Sequence, residues 1–390
     1  MDLETLFPHR VELPNPGQPL NAKTLPGTGG VCALTDRDGR LILTLSAQNL
    51  RRCLMHRFDP PTDARRPRTD LRTVSRCVWW QPTYSTFETA WTYLQIARQL
   101  NPDRYLQDLA FAPVWFARIN LADPHPRWRP DKLACVPPTH DLGPFRDRAS
   151  CRHFIERLED SFDLCRYHDI LQQAPQGQAC AYKEMGRCPA PCDGSITMEQ
   201  YRSMLRASLD FALGASDDHL TQLHDRMKTA AGQLQFERAS GLREQIARAE
   251  KLLKPPGRIH ATPQDFRYLC VQRGPGSSRV KPYFIDRGHI RPGQPARIKN
   301  LPSVVHQWAD NINGPDTEVI EQTAQHRSEN LSLVCHFLLK SPKAPGLFIH
   351  ASELSDPNNL VGRIEERFKR APRRDTDHTR VDLRNHDPLE

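Results

Sequence analysis

Four closely spaced cysteines constrain this chain more than any other feature. Cys165, Cys180, Cys188 and Cys192 are separated by fourteen, seven and three residues. The N-terminus has no basic segment followed by an apolar core, so the sequence shows no secretory signal and we expect a cytoplasmic location. Because disulfides are rare in reducing compartments, the quartet predicts a soft-metal or iron–sulfur site rather than a disulfide framework.

The same four thiols leave two other interpretations open. Four thiolates also suit a structural zinc ion, although such sites usually use two short Cys-x₂₋₄-Cys pairs and only Cys188 and Cys192 have that spacing. Alternatively, some of the four are simply small buried side chains.

Length and charge indicate a multidomain chain with a basic surface. The 390 residues carry a net charge of +8 and a pI of about 9.0, which fits a nucleic-acid partner. The sequence contains no run of 18 apolar residues, so we expect no membrane span and no membrane partner.

Apolar periodicity and turn residues predict the secondary structure. Two strands flank the turn signal Asp38-Gly39, and the stretch 197–253 is strongly helical up to the linker Lys254-Pro255-Pro256-Gly257. The other predicted elements are a helix from about Ala47 to Met55, helices over 86–100, 318–339 and 359–369, a helix capped by Ser150 that runs to Phe162, and strands over 111–121, 268–271 and 281–286.

The cysteine segment resembles that of the bacterial UvrC family of excinucleases, which make the incisions in nucleotide excision DNA repair. That family has a pattern close to Y-x-x-G-R-C-x-A-P-C-x-G. Residues Gly186 to Gly194 match it position by position, Tyr182 lies one residue further upstream than the tyrosine of the pattern, and the upstream stretches 142–145 and 161–166 also match. The resemblance covers about residues 20–255. It implies a [4Fe–4S] cluster held by Cys165, Cys180, Cys188 and Cys192, whereas nearby Cys151 lies outside the pattern.

A second segment, from His224 to Ile246, resembles the UVR motif of that family. The resemblance implies a helical hairpin that binds a matching hairpin on UvrB, the helicase-like component of the excinuclease. A lone amphipathic hairpin gains from such a partner because it cannot bury all its apolar side chains. The alternative is an ordinary hairpin packed on its own domain. The residues expected to contact UvrB are Met227, Leu234, Phe236, Glu237, Leu242, Arg243 and Ile246.

The N-terminal region resembles the GIY-YIG nuclease domain of the family but lacks its catalytic side chains. The two tyrosine positions hold Cys32 and Leu43, and the glycine, lysine and arginine positions hold Leu45, Ser46 and Cys53. Loss of the general base and the cations predicts an inactive site, because each such group contributes about 10²–10³-fold to the rate. We therefore assign no catalytic residue. The alternative is an unrelated β-hairpin.

Two expectations concern DNA. We expect Arg51 and Arg52 to contact the phosphates of double-stranded DNA without reading bases. A rival interpretation is an active endonuclease with a rearranged site, built from Tyr84, Glu88 and Arg51 or Arg52, and only this interpretation needs Mg²⁺ or Mn²⁺. A further rival is a UVR adaptor that binds no DNA.

The predicted architecture is an α/β multidomain protein. It consists of a GIY-YIG-like small mixed sheet with helices, a cysteine-rich module, a helical hairpin and an α+β C-terminal domain in which YFIDRGHI forms a strand pair. The D-x-S-H element of the family's second, RNase H-like nuclease is not found in the sequence. The predicted segments are 20–110, 111–196, 197–254 and 258–370, followed by a disordered tail at 371–390.

Overall fold

The computed structural model describes residues 2–59, 70–133, 138–313, 323–340 and 346–369. Within them the fold is mixed α/β with three separate sheets, as expected at that level. The prediction of a mixed N-terminal sheet is wrong, because every strand pair in the three sheets is antiparallel. The predicted tail at 371–390 lies outside the described residues.

The first sheet has four strands in the order β1-β4-β2-β3. The Asp38-Gly39 turn closes the hairpin of β2 and β3 at one edge of this sheet. Oδ1 of Asp36 accepts hydrogen bonds from the amides of Asp38 and Arg40, and Gly39 has a positive φ of +76°. The elements of this region are α1 (Leu3–Leu6), β1 (His9–Glu12), β2 (Gly30–Thr35), β3 (Leu41–Ala47), α2 (Leu50–Phe58), α3 (Leu71–Val74), β4 (Cys77–Pro82) and α4 (Thr86–Leu100).

Helix α2 begins three residues later than predicted. Strand β3 continues to Ala47, and the side chain of Asn49 caps the helix by accepting a hydrogen bond from the Arg52 amide. The predicted helix over 86–100 is confirmed. One face of the sheet packs on α2 and the other packs on α4, so the sheet is covered on both sides.

The second sheet has three strands in the order β6-β5-β7 and packs on α5. The predicted strand over 111–121 is shorter than expected, and Asp147 rather than Ser150 caps α5, because Oδ1 of Asp147 accepts from the Ser150 amide at 2.7 Å. The elements are β5 (Trp115–Ile119), β6 (Arg129–Asp131), β7 (His140–Phe145) and α5 (Arg148–Ser161).

The cysteine-rich segment is mostly loop, and a helical region follows it. Thr197 and Gln200 form a capping box at the start of the long helix that ends the segment. The elements are α6 (His168–Leu171), α7 (Ala181–Glu184), α8 (Met198–Leu213), α9 (Asp218–Gly232) and α10 (Phe236–Leu253), of which α9 and α10 form the predicted helical hairpin.

The third sheet has the order β10-β9-β8-β12, with β11 paired to β9, and the sequence YFIDRGHI forms the β9–β10 hairpin. The predicted helix over 318–339 is observed from Ala324, and residues 314–322 lie outside the described part. The elements are β8 (Arg267–Arg273), β9 (Arg279–Asp286), β10 (His289–Pro292), β11 (Ala296–Arg297), α11 (Leu301–Asn313), α12 (Ala324–Leu338), β12 (Leu347–His350) and α13 (Pro357–Lys369).

Helix α4 belongs to two hydrophobic cores. Ile96 and Leu100 face the first sheet, whereas Phe87 and Leu94 pack with Tyr283 and other residues of the third sheet and α12. The N-terminal and C-terminal regions therefore share a hydrophobic core. The boundaries of the segments proposed from the sequence remain predictions. No helix of the described part is both long and apolar enough to cross a bilayer.

Candidate functional site

Three of the four cysteines are buried in the loops between α5 and α8. Cys165, Cys188 and Cys192 are buried, whereas Cys180 precedes α7 and is half-buried. The Cys165 amide donates to the hydroxyl of Tyr201 on α8 at 3.1 Å, so the loop that carries this thiol is anchored to a long helix.

A tight turn shapes the segment that carries Cys188 and Cys192. Ala190 has the left-handed φ of +54°, Pro191 begins a short 3₁₀ turn, and Gly194 ends it with a φ of +81°. The Cys192 carbonyl accepts a hydrogen bond from the Gly177 amide at 2.8 Å, which ties this turn to the loop before α7. The turn folds both thiols back toward Cys165.

Cys165 and Cys188 interact directly. The interaction between the two side chains lowers the pKa of Cys188 and, together with burial, raises the pKa of Cys165. The Cys165 thiol also donates to the Tyr167 carbonyl at 3.4 Å. Burial and the neighbouring Asp193 raise the pKa of Cys192. The Ala190 backbone also lowers the pKa of Cys188, so among these three cysteines Cys188 loses its proton most readily.

The donor types fit a soft metal or an iron–sulfur cluster, because all four are cysteine thiols. The arrangement fits only in part. Cys165, Cys188 and Cys192 lie close enough to influence one another, but within the described residues no group of three or more histidine, cysteine or acidic side chains is arranged to hold a metal ion.

Charged side chains fasten the two parts of this loop region together. Arg166 lies over the Tyr182 ring with 4.4 Å between the guanidinium carbon and the ring centre, and it donates to the Arg187 carbonyl at 3.0 Å. Lys183 forms an ion pair with Asp193. Sequence reasoning missed these contacts; the available signal was the position of Arg166 and Asp193 directly beside Cys165 and Cys192.

The positions at which the sequence resemblance implies nuclease side chains form part of a packed apolar core. Cys32 is fully buried and lies opposite Leu45 across the β2–β3 pair, and both pack with Leu50 and Leu54 of α2. Burial raises the pKa of the Cys32 thiol. Leu43 packs against the edge of the same core.

Two side chains of the rival interpretation, Glu88 and Arg51, have structural partners. Glu88 is 5% exposed; its Oε1 accepts from Nζ of Lys281 at 2.7 Å and its Oε2 accepts from the Tyr84 amide at 2.8 Å. Arg51 donates from Nε and Nη2 to the Leu25 carbonyl at 3.0 and 2.8 Å, and Arg52 is exposed. The Glu88 and Arg51 side chains are therefore engaged with different partners.

The hairpin of α9 and α10 divides its predicted contact residues into two groups. Leu242 and Ile246 are buried in the protein's own core, and Met227 packs partly against it. At the tip, Leu234 is 73% exposed and Phe236 is 67% exposed. Glu237 and Arg243 are also exposed. Leu234 has a φ of +62° in the turn between the helices.

Comparison with known proteins supports the UvrC family. Residues 116–211 match the family described as "UvrC/Cho excinuclease, middle domain". The matched stretch runs from β5 into α8 and holds all four cysteines. No solved structure matches the chain.

Curated relatives bear the name "UvrABC system protein C". The protein of Salinispora arenicola is 24% identical over 273 residues, which cover 69% of this chain and 41% of the relative. That of Trichlorobacter lovleyi is 25% identical over 233 residues, 60% of this chain and 38% of the relative. That of Desulforudis audaxviator is 32% identical over 141 residues, which cover 36% of this chain and 22% of the relative. The chain thus spans about two fifths or less of the length of these relatives.

Proposed function

We propose that this protein is a UvrC-like protein of nucleotide excision DNA repair, which binds DNA and UvrB and carries an inactive nuclease-like N-terminal region. The observation that carries the proposal is the family match over residues 116–211, which includes all four cysteines. A function of this kind implies a cytoplasmic location.

The proposed inactivity of the N-terminal region rests on the packing of its former catalytic positions. A nuclease of this type needs a carboxylate-bound divalent ion and a tyrosine that activates water. Here Cys32 and Leu45 fill the apolar core, and Glu88 is neutralised by Lys281. We expect no incision of bubble or lesion-bearing duplex DNA with Mg²⁺ or Mn²⁺. Metal-dependent nicking that Glu88→Ala abolishes would establish the rival endonuclease instead.

DNA binding is proposed through phosphate contacts. The net charge of +8 favours a polyanion, and Arg52 is exposed on α2, whereas Arg51 holds the Leu25 carbonyl. We expect Arg52→Ala to weaken duplex binding and Arg51→Ala to act mainly on stability. Fluorescence anisotropy across a KCl series tests this, because phosphate contacts weaken steeply with salt. A wild-type protein without salt-sensitive duplex binding fits the DNA-free adaptor.

UvrB is the proposed partner of the hairpin tip. Leu234 and Phe236 expose apolar surface that water contacts in the free protein, and Glu237 and Arg243 lie nearby as charges able to set the orientation of a partner. Isothermal titration with purified UvrB tests the assignment, and a wild-type protein that does not bind would contradict it.

The cysteine quartet is the proposed ligand set for a [4Fe–4S] cluster, with zinc as the alternative. When bound, such a cluster links the chain segments that hold its ligands and stabilises the loops between α5 and α8. Cys165, Cys188 and Cys192 are buried in the same loop region, and Cys180 in that region is half-buried. Residues Arg166 and Lys183 hold the surrounding loops together.

A further inference from the structure

An exposed basic groove lies on the C-terminal sheet, where β11 pairs with β9. A cavity of about 380 Å³ opens there between the two strands, the loop before β11 and the first turns of α11. We call it the β9–β11 groove. Its polar lining consists of Arg279, Gln294, Arg297, Asn300, Ser303 and Gln307.

Two arginines lie directly opposite each other in this groove. Arg297 of β11 pairs with Arg279 of β9 in antiparallel register, and both side chains are exposed. Directly opposed residues place their Cβ atoms about 5 Å apart, and like charges in that position destabilise a sheet. Among the described residues, neither arginine forms an ion pair. The structure therefore holds two cations together without a carboxylate between them.

A neighbouring cavity extends the basic surface. It shares Arg297 with the first cavity and adds Lys299 and Ser278 to the lining. Glu365 lines this second cavity too and opposes an anion there. The strongest anion-binding position is consequently on the Arg279 side of the Arg279–Arg297 pair, because Arg297 also lines the cavity that contains Glu365.

Two other arginines in or beside this sheet form ion pairs with a carboxylate. Arg267 and Arg287 each form an ion pair with Asp286 at 3.1 Å. In these two cases a carboxylate balances the charge of an arginine in or beside the sheet. The contrast indicates that the Arg279–Arg297 pair serves an anion from outside the protein.

We propose that the β9–β11 groove binds the phosphate backbone of DNA. Arg279 and Arg297 donate charge-assisted hydrogen bonds to phosphate oxygens, and the amide and hydroxyl side chains of the lining hydrogen-bond the backbone beside them. Contacts of this type fix the position of the nucleic acid and read no bases. The inference rests on the proposed function for its partner, DNA, and adds a binding site far along the chain from Arg51 and Arg52.

The test compares two double variants with the same loss of charge. Arg279→Gln/Arg297→Gln removes the opposed pair, and Arg206→Gln/Arg248→Gln removes two exposed arginines of α8 and α10 as the matched control. Binding of a fluorescent duplex is measured across a KCl series, and thermal melting is measured with inorganic phosphate and with chloride at equal ionic strength. Circular dichroism verifies that both variants fold.

The groove variant is expected to lose about tenfold or more in duplex affinity at low salt and to reduce the slope of log K against log[salt] by about 2, because two phosphate contacts disappear. Its stabilisation by phosphate should also vanish, while the control keeps that stabilisation and most of the affinity. If the wild type binds duplex and the groove variant matches it in affinity and slope, the inference fails while DNA binding stands. If the wild type itself binds no DNA, the proposed function fails with it.

Discussion

Nζ of Lys281 lies 2.7 Å from Oε1 of Glu88, joining the N-terminal end of α4 to β9 across 193 residues of sequence. The carboxylate is almost fully buried and the lysine side chain is 21% exposed. This contact fastens α4 of the N-terminal region to the C-terminal sheet. It also gives the Glu88 carboxylate a structural role.

Loss of this lysine should destabilise the protein. Lys281→Met leaves the Glu88 carboxylate buried without its cation, so we expect the free energy of unfolding to fall by about 2 kcal/mol. Urea denaturation measures the change, with Lys251→Met on the exposed face of α10 as the control. The double variant Glu88→Gln/Lys281→Met should recover part of the loss. A Lys281→Met protein as stable as the control would show that the ion pair contributes nothing.

The stability should also depend on pH through His260. Burial, with the nearby His350 ring stacked at 5.1 Å, lowers the pKa of His260 from 6.5 to about 4, while Asp265 acts in the opposite sense. The unfolded chain therefore takes up the proton first as the pH falls. The contribution of neutral His260 is complete above about pH 6.5 and is lost progressively toward pH 4.

His260→Gln tests this dependence, because glutamine does not titrate and can still hydrogen-bond the Tyr268 hydroxyl, which lies 2.6 Å from Nε2 of His260. Thermal melting between pH 7 and pH 4 should show a decline in stability that is smaller in the variant by about 1 kcal/mol, allowing for the partial exposure of the ring. Parallel curves for the two proteins would assign the acid sensitivity to other groups.

The hairpin tip should contribute to binding without contributing to folding. Phe236→Ala removes a side chain that is 67% exposed, so its effect on stability should stay within about 0.5 kcal/mol, while affinity for UvrB falls about tenfold or more. Leu242→Ala creates a cavity in the core and should cost about 3 kcal/mol of stability. Calorimetric titration and denaturation separate the two effects. An unchanged dissociation constant for Phe236→Ala would count against docking through the tip.

The cysteine quartet should bind inorganic iron. Protein purified without oxygen is expected to contain equal amounts of iron and acid-labile sulfide, and serine at position 165, 180, 188 or 192 should lower both. Cys151→Ser is the control, because this cysteine is buried on α5 and lies outside the pattern. Zinc without acid-labile sulfide would show that the quartet binds zinc instead. A metal-free protein that is insensitive to all four substitutions would show that the cysteines bind no metal.

Short-range sequence signals predicted two features of the secondary structure correctly. The Asp38-Gly39 turn and the helix over 86–100 are observed as expected, because turn chemistry and apolar spacing act over short distances. The start of α2 was predicted too early, since β3 pairs with β2 as far as Ala47 and that pairing outweighs the helix-forming residues that follow. The cap of α5 is Asp147 and not Ser150 as predicted. Aspartate and serine both cap helices by accepting a backbone hydrogen bond, so residue type alone does not distinguish these two positions.

By itself, the sequence determined the chemical inventory: the spacing of Cys165, Cys180, Cys188 and Cys192, the apolar repeat of the hairpin, and the residue types at positions 32 and 43, where Cys32 and Leu43 stand. These are properties of residue type and local spacing. Only the tertiary structure decided that Leu242 is buried while Phe236 is exposed, that Lys281 neutralises Glu88, and that Arg279 lies opposite Arg297. Each of these depends on strand register or on packing between distant segments, which no local pattern encodes.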